Sequence, residues 1–238
     1  MIARFSDLAG ARILVTGTAA GIGKATALAL LDQGASVVGI DRDPADLGAG
    51  YVHAACDLAD AAQVRTTVTA LATEALDGIV NVAGIDPKIA LENADLDAWN
   101  RVIDLDLRAY HLVLHHGLDA LRRGRLKAVV NLSSINHRLG VPRRGLYTLA
   151  KCGVIGLTRG LARELGREGI RINTVSPGWV FTERQVAEYF ADDAEGRARR
   201  EDLFAKQSLA MEITPADIAA HVCFYLSAAS RASTGHNC

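Results

Sequence analysis

The sequence predicts a single-domain α/β protein, a doubly wound parallel sheet with helices on both faces. Two observations support this. Short runs rich in Val and Ile alternate with longer helix-period segments nearly to the end of the 238-residue chain, and such strand–helix–strand order requires crossover connections between parallel strands. The short runs are also continuously apolar rather than alternating, which is typical of strands buried on both faces.

Six strands are predicted at these apolar runs, namely Arg12–Thr16, Ser36–Asp41, 51–54, 78–82, Ala128–Leu132 and 170–175. Five helices are predicted between and after them, at 21–33, 61–74, 96–122, 146–168 and 215–228. No long linker rich in Pro, Gly or Ser interrupts the series, so residues 1–238 are expected to form one domain.

Composition and charge exclude several classes of protein. The 26 basic residues nearly balance the 27 acidic ones, and no basic stripe marks a nucleic-acid or membrane surface. No apolar stretch reaches the ~18 residues of a membrane span, and the first residues lack the apolar core of a signal peptide. The four cysteines lie far apart without metal-ligand spacing, which favours a reduced, cytoplasmic protein without a metal: Cys56, Cys152, Cys223 and Cys238.

The segment 181–207 breaks the strand–helix rhythm, because it is charged and only weakly periodic. A solvated helix surface explains such a segment. A mobile flap over a pocket is the second interpretation, since the segment follows a strand end, where open α/β sheets place their ligands.

A glycine-rich turn follows the first strand and leads into the first helix. Gly17, Gly21 and Gly23, with Ala20 and Ile22 between them, allow a tight turn and a close approach of the backbone to a phosphate. A plain strand–helix turn would look the same by itself. The turn is therefore read together with the residues that follow the next strands.

Asp41 ends the second strand, 18 residues beyond Gly23, where an acid is expected to bind the adenosine ribose of a dinucleotide. A strand-end cap is the alternative role. A carboxylate here would repel a 2′-phosphate, and Ala20 offers no compensating base, so NAD is favoured over NADP. Arg42 moderates this preference, because its guanidinium could turn inward to accept the extra phosphate.

The next two strands also end in candidate cofactor contacts. Asp57 and Leu58 follow the third strand, and Asp57 is expected either to bind the adenine amino group or to cap the helix that begins at Ala61. Asn81, Ala83 and Gly84 follow the fourth strand, where small residues let the backbone lie against a cofactor.

Tyr147 and Lys151 are four residues apart in a predicted helix, so both side chains project from one face. Ser134 ends the fifth strand, thirteen residues before Tyr147. A Tyr-x-x-x-Lys spacing alone is common by chance. Its combination with Ser134, the glycine turn and Asp41 at the carboxyl ends of strands is specific.

With these motifs the chain resembles the short-chain dehydrogenase/reductases, Rossmann-fold enzymes that use NAD or NADP, over nearly its whole length. The resemblance implies a domain that binds the dinucleotide and carries the catalysis, a small-molecule substrate, and a homodimer or homotetramer. It implies the catalytic set Ser134, Tyr147, Lys151 and Asp106. Tyr147 and Lys151 would also contact the cofactor, together with the residues already assigned to it and with Pro177, Gly178, Val180 and Thr182 after the sixth strand.

The expected chemistry is proton transfer at Tyr147 coupled to hydride transfer. A free Tyr, with a pKa of about 10, is a poor base at neutral pH. The Lys151 ammonium and the positive nicotinamide ring are expected to lower the pKa of Tyr147. Ser134 would donate a hydrogen bond to the reacting oxygen.

The sequence departs from the family pattern in three places. Asp106 stands where the family usually has Asn, whose backbone carbonyl holds a water that links Lys151 to a proton relay. Because the backbone holds that water, Asp is expected to preserve most of the function. Val82 replaces a second Asn in the turn after the fourth strand. Residues 233–238 end the chain where the family continues into a final strand, so either the sequence is shortened or that edge of the sheet is missing, and a shortened sequence is favoured.

Two segments, 177–185 and 207–219, are similar to bacterial sugar 1-dehydrogenases of this family. Asn136, His137 and Arg184 are candidate partners of sugar hydroxyls, although all three are also ordinary loop residues. Trp179 would stack on the sugar or pack against the flap. The alternatives are a 3-oxoacyl or other ketone reductase, which would normally use NADPH, and a regulator that binds a dinucleotide without turnover.

Overall fold

The computed structural model describes residues 2–238, and its sheet contains strands β1 Arg12–Thr16, β2 Ser36–Asp41, β3 Tyr51–Ala55, β4 Gly78–Asn81, β5 Ala128–Leu132 and β6 Arg171–Val175. They lie in the order β3-β2-β1-β4-β5-β6, and each neighbouring pair is parallel. The predicted fold class is confirmed, because this is the sheet of a Rossmann fold.

Helices follow every strand except β2, which connects to β3 through residues 42–50 without a helix. They are α1 Gly21–Asp32, α2 Ala61–Leu71, α3 Leu96–Ile103, α4 Ala109–Arg123, α5 Asn136–Leu139, α6 Gly145–Gly166, α7 Glu183–Tyr189, α8 Ala194–Lys206 and α9 Pro215–Leu226. The predicted helix 96–122 is helical throughout, but a π-helical turn at Asp104–Arg108 joins α3 to α4.

Apolar side chains of each strand enter two clusters, one on each face of the sheet. In β1, Ile13 and Val15 pack in the cluster that holds α1 and α9. Leu14 between them packs with α2 and α4 in the other cluster. Successive side chains of a strand point to opposite faces, so a continuous apolar run is what this doubly covered sheet requires.

The chain reverses direction across the sheet between β1 and β4. From β1 it moves outward to β2 and β3, and it then returns to β4 on the other side of β1. The loops after β1 and β4 therefore diverge and leave a crevice at the carboxyl ends of the strands. The loops after β2, β5 and β6 open on the same edge.

The segment 181–207 folds into α7 and α8 after Phe181 pairs with Ile213, whose carbonyl accepts the Phe181 N–H at 2.8 Å. Aromatic contacts hold it together: the rings of Phe181 and Phe190 stack with centroids 4.5 Å apart, and Trp179 meets Phe190 edge to face. Tyr189 of α7 and Phe204 of α8 join these contacts through Trp179 and Phe181, so both helices attach to the same aromatic cluster.

The last residues of the chain lie beside β6. Gly235 donates its N–H to Ile172 at 2.7 Å, and Thr174 donates to His236 at 2.8 Å. Asn237 forms a parallel bridge with Thr174. Residues 235–238 therefore add ladder hydrogen bonds to the outer edge of the sheet, at the position where the final strand was expected to be missing.

Within residues 2–238, no helix combines the length and apolar character that a membrane crossing requires.

Candidate active site

The glycine turn after β1 has the geometry of a phosphate loop. Gly17 and Gly21 have φ values of 76° and 54°, in the left-handed region that glycine favours. A Cβ at Gly23 would lie 1.9 Å from the Gly17 carbonyl oxygen. α1 begins after Ala20, whose side chain does not cap the helix, so N–H groups such as that of Ile22 remain for a phosphate. These features fit a dinucleotide pyrophosphate.

Asp41 connects the end of β2 to this loop. Its Oδ2 accepts the Ala19 N–H at 2.9 Å, and its Oδ1 accepts the Asp43 N–H at 3.1 Å. The carboxylate therefore caps the strand end and also stands beside the phosphate loop. The exposed Arg42 guanidinium lies 3.7 Å from Asp43 rather than over the loop.

The structure corrects one interpretation of Asp57. α2 is capped by Asp60, whose carboxylate accepts the N–H groups of Ala62 and Gln63. Asp57 instead accepts the Ala59 N–H at 2.9 Å in its own turn. Asp57 is not the helix cap, because Asp60 is one residue before the first helical residue and Asp57 is four before it. Leu58 beside it is buried.

The loop after β4 packs directly on the phosphate loop. A Cβ at Gly17 would lie 3.0 Å from the Ala83 Cα, so the two backbones touch. The Thr16 hydroxyl accepts the N–H groups of Val82 at 2.9 Å and Ala83 at 3.2 Å. Thr16 thereby braces the turn in which Val82 replaces the second Asn. The Asn81 amide donates to Asn131 Oδ1 at 2.9 Å beneath this turn.

Ser134, Tyr147 and Lys151 come together at the ends of β5 and α6, as the spacing predicts. Lys151 Nζ lies 5.8 Å from the centroid of the Tyr147 ring, and the Ser134 hydroxyl lies near enough to the Tyr147 phenol to favour its ionised form. Ser134 Oγ also accepts the Asn136 N–H at 3.2 Å. The phenol therefore faces both a cation and a hydroxyl.

The ionisation of Tyr147 differs from the expectation. Burial raises the pKa of Tyr147 above its ordinary value, while the Lys151 charge and the Ser134 hydrogen bond act in the opposite direction. The charge of Lys151 has the expected sign, but burial outweighs it. The lowering expected from the sequence is therefore not reached by the side chains alone.

Lys151 is itself buried in a polar pocket. Its Nζ donates to the Tyr110 hydroxyl at 3.2 Å and to the Leu132 carbonyl at 3.3 Å, and lies 3.9 Å from Asp106 Oδ2. Tyr110 was missed in the sequence. Its signal was the spacing of four residues from Asp106 in one helix, which puts both side chains on the same face.

The segment after β6 crosses the mouth of the crevice. The Pro177 carbonyl accepts the Ile135 N–H at 3.1 Å, which ties this segment to the loop after β5. A Cβ at Gly21 would lie 3.4 Å from the Thr182 methyl carbon, so Thr182 sits against the phosphate loop. Thr182 also caps α7 through the Gln185 N–H. Gly178 and Val180 lie between these anchors.

The structure places the four substrate candidates in two groups. Asn136 and His137 follow Ser134, and His137 Nδ1 lies 2.6 Å from the Ser134 carbonyl oxygen. Trp179 packs edge to face with Tyr189 and Phe190 and donates to Gln185 at 2.6 Å, so its packing role is observed. Arg184 pairs with Asp86 from the loop after β4 and with Glu188 at 3.8 Å.

The glycine turn before α1 and the Tyr147–Lys151 pair lie at the same edge of the sheet. A loop suited to a pyrophosphate beside groups suited to proton transfer is the arrangement of an NAD(P)-dependent oxidoreductase. A protein-family model described as enoyl-(acyl carrier protein) reductase matches residues 17–238. The chain belongs to the short-chain dehydrogenase/reductase family.

Individual relatives differ in their substrates. The chain is 32% identical over 242 residues to D-xylose 1-dehydrogenase of Caulobacter vibrioides, covering 98% of this chain and 94% of the relative. It is 30% identical to a 3-oxoacyl-[acyl-carrier-protein] reductase of Staphylococcus aureus, covering 93% of each. The structure of aldohexose dehydrogenase from Thermoplasma acidophilum superposes with a TM-score of 0.90 at 26% identity, covering 98% of this chain and 93% of that one.

Proposed function

We propose that the protein is an NAD-dependent sugar dehydrogenase that oxidises the anomeric hydroxyl of an aldose. The observation that carries the proposal is the position of Tyr147, beside Lys151 and Ser134 and next to the polar residues Asn136 and His137. The similarity to D-xylose 1-dehydrogenase over nearly the whole chain supports the sugar as substrate.

The catalytic side chains have distinct roles in the proposed reaction. When bound, NAD accepts the hydride from the substrate carbon. Tyr147 takes the proton of the substrate hydroxyl, which requires the phenolate form. Ser134 donates a hydrogen bond to the same oxygen and fixes its position. Lys151 holds a positive charge beside the phenolate and binds the nicotinamide ribose, and Asp106 lies behind it.

The proposed cofactor contacts follow the crevice from one end to the other. Gly17, Ala20, Gly21, Ile22 and Gly23 bind the pyrophosphate at the start of α1. Asp41, with Arg42 next to it, binds the adenosine ribose and disfavours a 2′-phosphate. The remaining contacts to the adenine and nicotinamide halves come from Asp57, Leu58, Asn81, Ala83, Gly84, Pro177, Gly178, Val180 and Thr182.

Replacing Asp41 by Ala should weaken the binding of NAD and reduce the discrimination against NADP. The substitution removes both the ribose acceptor and the negative charge, so the ratio of kcat/KM with NAD to that with NADP should fall about tenfold or more, the worth of one charged hydrogen bond. Steady-state kinetics with both cofactors measures this ratio.

Two further variants separate the effect of the Asp41 charge from the effects of its hydrogen bond and of removing any nearby acid. Asp41→Asn keeps an oxygen for the Ala19 N–H but removes the charge, so it should relax discrimination while the loop stays braced. Asp46→Ala removes an exposed acid that accepts the Gly48 N–H and should leave the ratio unchanged. An unchanged ratio in Asp41→Ala would mean that Asp41 is only a strand-end cap.

Sugar recognition would come from the loops on either side of the crevice. A site that binds several hydroxyls rejects analogues that lack one of them. Asn136 and His137 approach from the loop after β5, and Arg184 approaches from α7, where its pairing with Asp86 also holds α7 against the loop after β4. The packed Trp179 would offer its exposed edge to the sugar.

Removing one loop donor should weaken substrate binding selectively. Asn136→Ala and Arg184→Ala should each raise KM for the best aldose roughly tenfold, or ~1.4 kcal/mol for one lost hydrogen bond, with little change in NAD affinity. Lys206→Ala is the matched control, because Lys206 pairs with Asp202 on the exposed face of α8. A normal KM in both loop variants would contradict the assigned pocket.

A panel of substrates tests the proposed class. Aldoses should be oxidised with NAD⁺ to lactones, whereas acyl ketones and steroids should react slowly or not at all.

The second candidate function is a 3-oxoacyl or other ketone reductase, which is favoured by the similarity to the 3-oxoacyl reductase. Turnover of an acyl ketone with NADPH, without any turnover of aldoses, would establish that alternative. A regulator that binds NAD without turnover would give binding but no product in either assay.

We also propose a cellular compartment, an oligomeric state and a role for the segment 181–207. Cys56, Cys152, Cys223 and Cys238 are all free thiols, which supports a reducing compartment such as the cytoplasm. A homodimer or homotetramer through α4 and α6 is supported by exposed apolar residues on the neighbouring surface, Leu149 of α6 and Trp99 of α3. The segment 181–207 is proposed to act as a substrate flap.

A further inference from the structure

Asp106 lies in the π-helical turn between α3 and α4 and is completely buried. Its Oδ1 accepts the Ile85 N–H at 2.8 Å. π-Turns insert a residue into a helix and often occur at functional sites. Here the turn carries the carboxylate under the loop after β4, so its position is fixed by both the helix and the loop.

The other oxygen of this carboxylate has no hydrogen-bond partner among the described residues, although it is buried. The nearest cation is Lys151, whose Nζ lies 3.9 Å away. A Cβ at Gly84 would lie 3.0 Å from Asp106 Oδ1 and 3.1 Å from Lys151 Nζ. The backbone at Gly84 therefore packs closely against both groups, and a side chain at this position would collide with them.

The titratable groups that face Asp106 come from three elements. Lys151 and Tyr147 face it from α6, Tyr110 from α4, and Asp86 from the loop after β4. Lys151 is the only cation among them in the described chain. The proton acceptor of the proposed reaction and the buried carboxylate therefore both lie near the same ammonium, which is 5.8 Å from the Tyr147 ring centroid and 3.9 Å from Asp106 Oδ2.

We propose that Asp106 is a positioning residue whose negative charge holds the Lys151 ammonium back from Tyr147 and thereby sets the pH range in which the enzyme oxidises its substrate. The inference rests on the proposed dehydrogenase function. It gives the carboxylate a role that a neutral side chain of the same shape would not have.

The direction of the effect follows from the charges. Asp106 raises the pKa of Tyr147, because a negative neighbour opposes formation of the phenolate. Removal of that charge should lower the pKa of Tyr147, so more phenolate is present at a given pH. Burial raises the pKa of Asp106 itself to about 6, with Lys151 acting against it, so the carboxylate carries its charge above that pH.

Asp106→Asn removes the charge and keeps an oxygen for the Ile85 N–H. The midpoint of the acidic limb of kcat/KM for oxidation should move to lower pH by roughly half a unit to one unit. Asp106→Ser, neutral but smaller, should shift the midpoint in the same direction. Asp104→Asn is the control, because Asp104 lies in the same turn but pairs with Arg108 at 2.7 Å, and it should leave the midpoint in place.

A second measurement does not require turnover. The ultraviolet difference titration of the protein against its Tyr147→Phe variant reports the phenolate of Tyr147 alone. The midpoint of this titration should lie at a lower pH when Asp106 is replaced by Asn than in the wild type. Should the wild type oxidise nothing, the proposed function fails while this titration still tests the role of Asp106. The inference is overturned if neither neutral variant shifts the midpoint, or if Asp104→Asn shifts it equally.

Discussion

Tyr147→Phe should abolish most turnover while the protein stays folded and binds its cofactor. The half-buried ring keeps its packing, but the hydroxyl that lies near Ser134 and takes the substrate proton is gone. General acid–base catalysis typically contributes ~10²–10⁴-fold to rate, so kcat should fall by about that factor. Steady-state kinetics measures the loss, and fluorescence titration with NADH measures the retained affinity.

Tyr225→Phe provides the matched control for this loss. Tyr225 is buried in α9, within the apolar cluster on one face of the sheet, and removal of its hydroxyl should leave kcat near the wild-type value. Wild-type turnover in Tyr147→Phe would show that the proton is taken by another group.

Gly23→Ala should destroy dinucleotide binding. The added Cβ would lie 1.9 Å from the Gly17 carbonyl oxygen and 2.6 Å from its carbon. Because these atoms belong to the backbone, no neighbouring side chain can rotate away to relieve the collision. The phosphate loop must open, which should cost ~1–3 kcal/mol of stability and reduce NADH affinity at least about tenfold, since 1.4 kcal/mol corresponds to a factor of ten. Calorimetry and NADH titration measure the two effects.

Gly166→Ala controls for the loss of a glycine in a helix. Gly166 is the exposed last residue of α6, and a Cβ there meets no atom within 4 Å. The substitution should therefore leave NADH affinity unchanged and raise stability by up to ~1 kcal/mol, the difference in helix propensity. If Gly23→Ala binds NADH as well as Gly166→Ala does, the turn is not the pyrophosphate site.

The sheet was predictable because its strands, apart from the edge strand β3, are buried on both faces and therefore read as apolar runs. β1, β2 and β5 have the predicted bounds, and the predicted strand 78–82 ends one residue earlier, at Asn81. The π-turn at Asp104–Arg108 was not predictable, because the apolar periodicity of the segment 96–122 is that of one continuous helix. α8 was foreseen only as the solvated-helix interpretation of the segment 181–207 and without bounds, because its sequence is charged and little of it is buried.

The candidate site was predictable where it depends on local spacing. Tyr147 and Lys151 share a face of α6 because they are four residues apart, and Ser134 meets them because β5 ends beside that helix. The contacts of Lys151 with Tyr110 and Leu132 depend on how α4 packs against β5. The Arg184–Asp86 pair joins residues 98 positions apart, which no local pattern indicates.

The net ionisation of Tyr147 shows the same limit. The sequence identifies Lys151 as the nearby cation, and the structure gives its effect the expected sign. The sequence does not give the depth of burial, which reverses the net shift of the pKa. The presence of Asp106 in the chain was evident, but its distance of 3.9 Å from Lys151 was not.

The most direct measurement is the absorbance of reduced cofactor when the purified protein is mixed with NAD⁺ and a panel of aldoses and secondary alcohols, in parallel with Tyr147→Phe. The wild type should produce NADH with at least one aldose, and this reaction should be faster than the formation of NADPH from NADP⁺ with the same aldose. The Tyr147→Phe variant should produce NADH ~10²–10⁴-fold more slowly. No reduced cofactor with any substrate, or equal rates in the wild type and Tyr147→Phe, would contradict the assignment of an oxidoreductase that works through Tyr147.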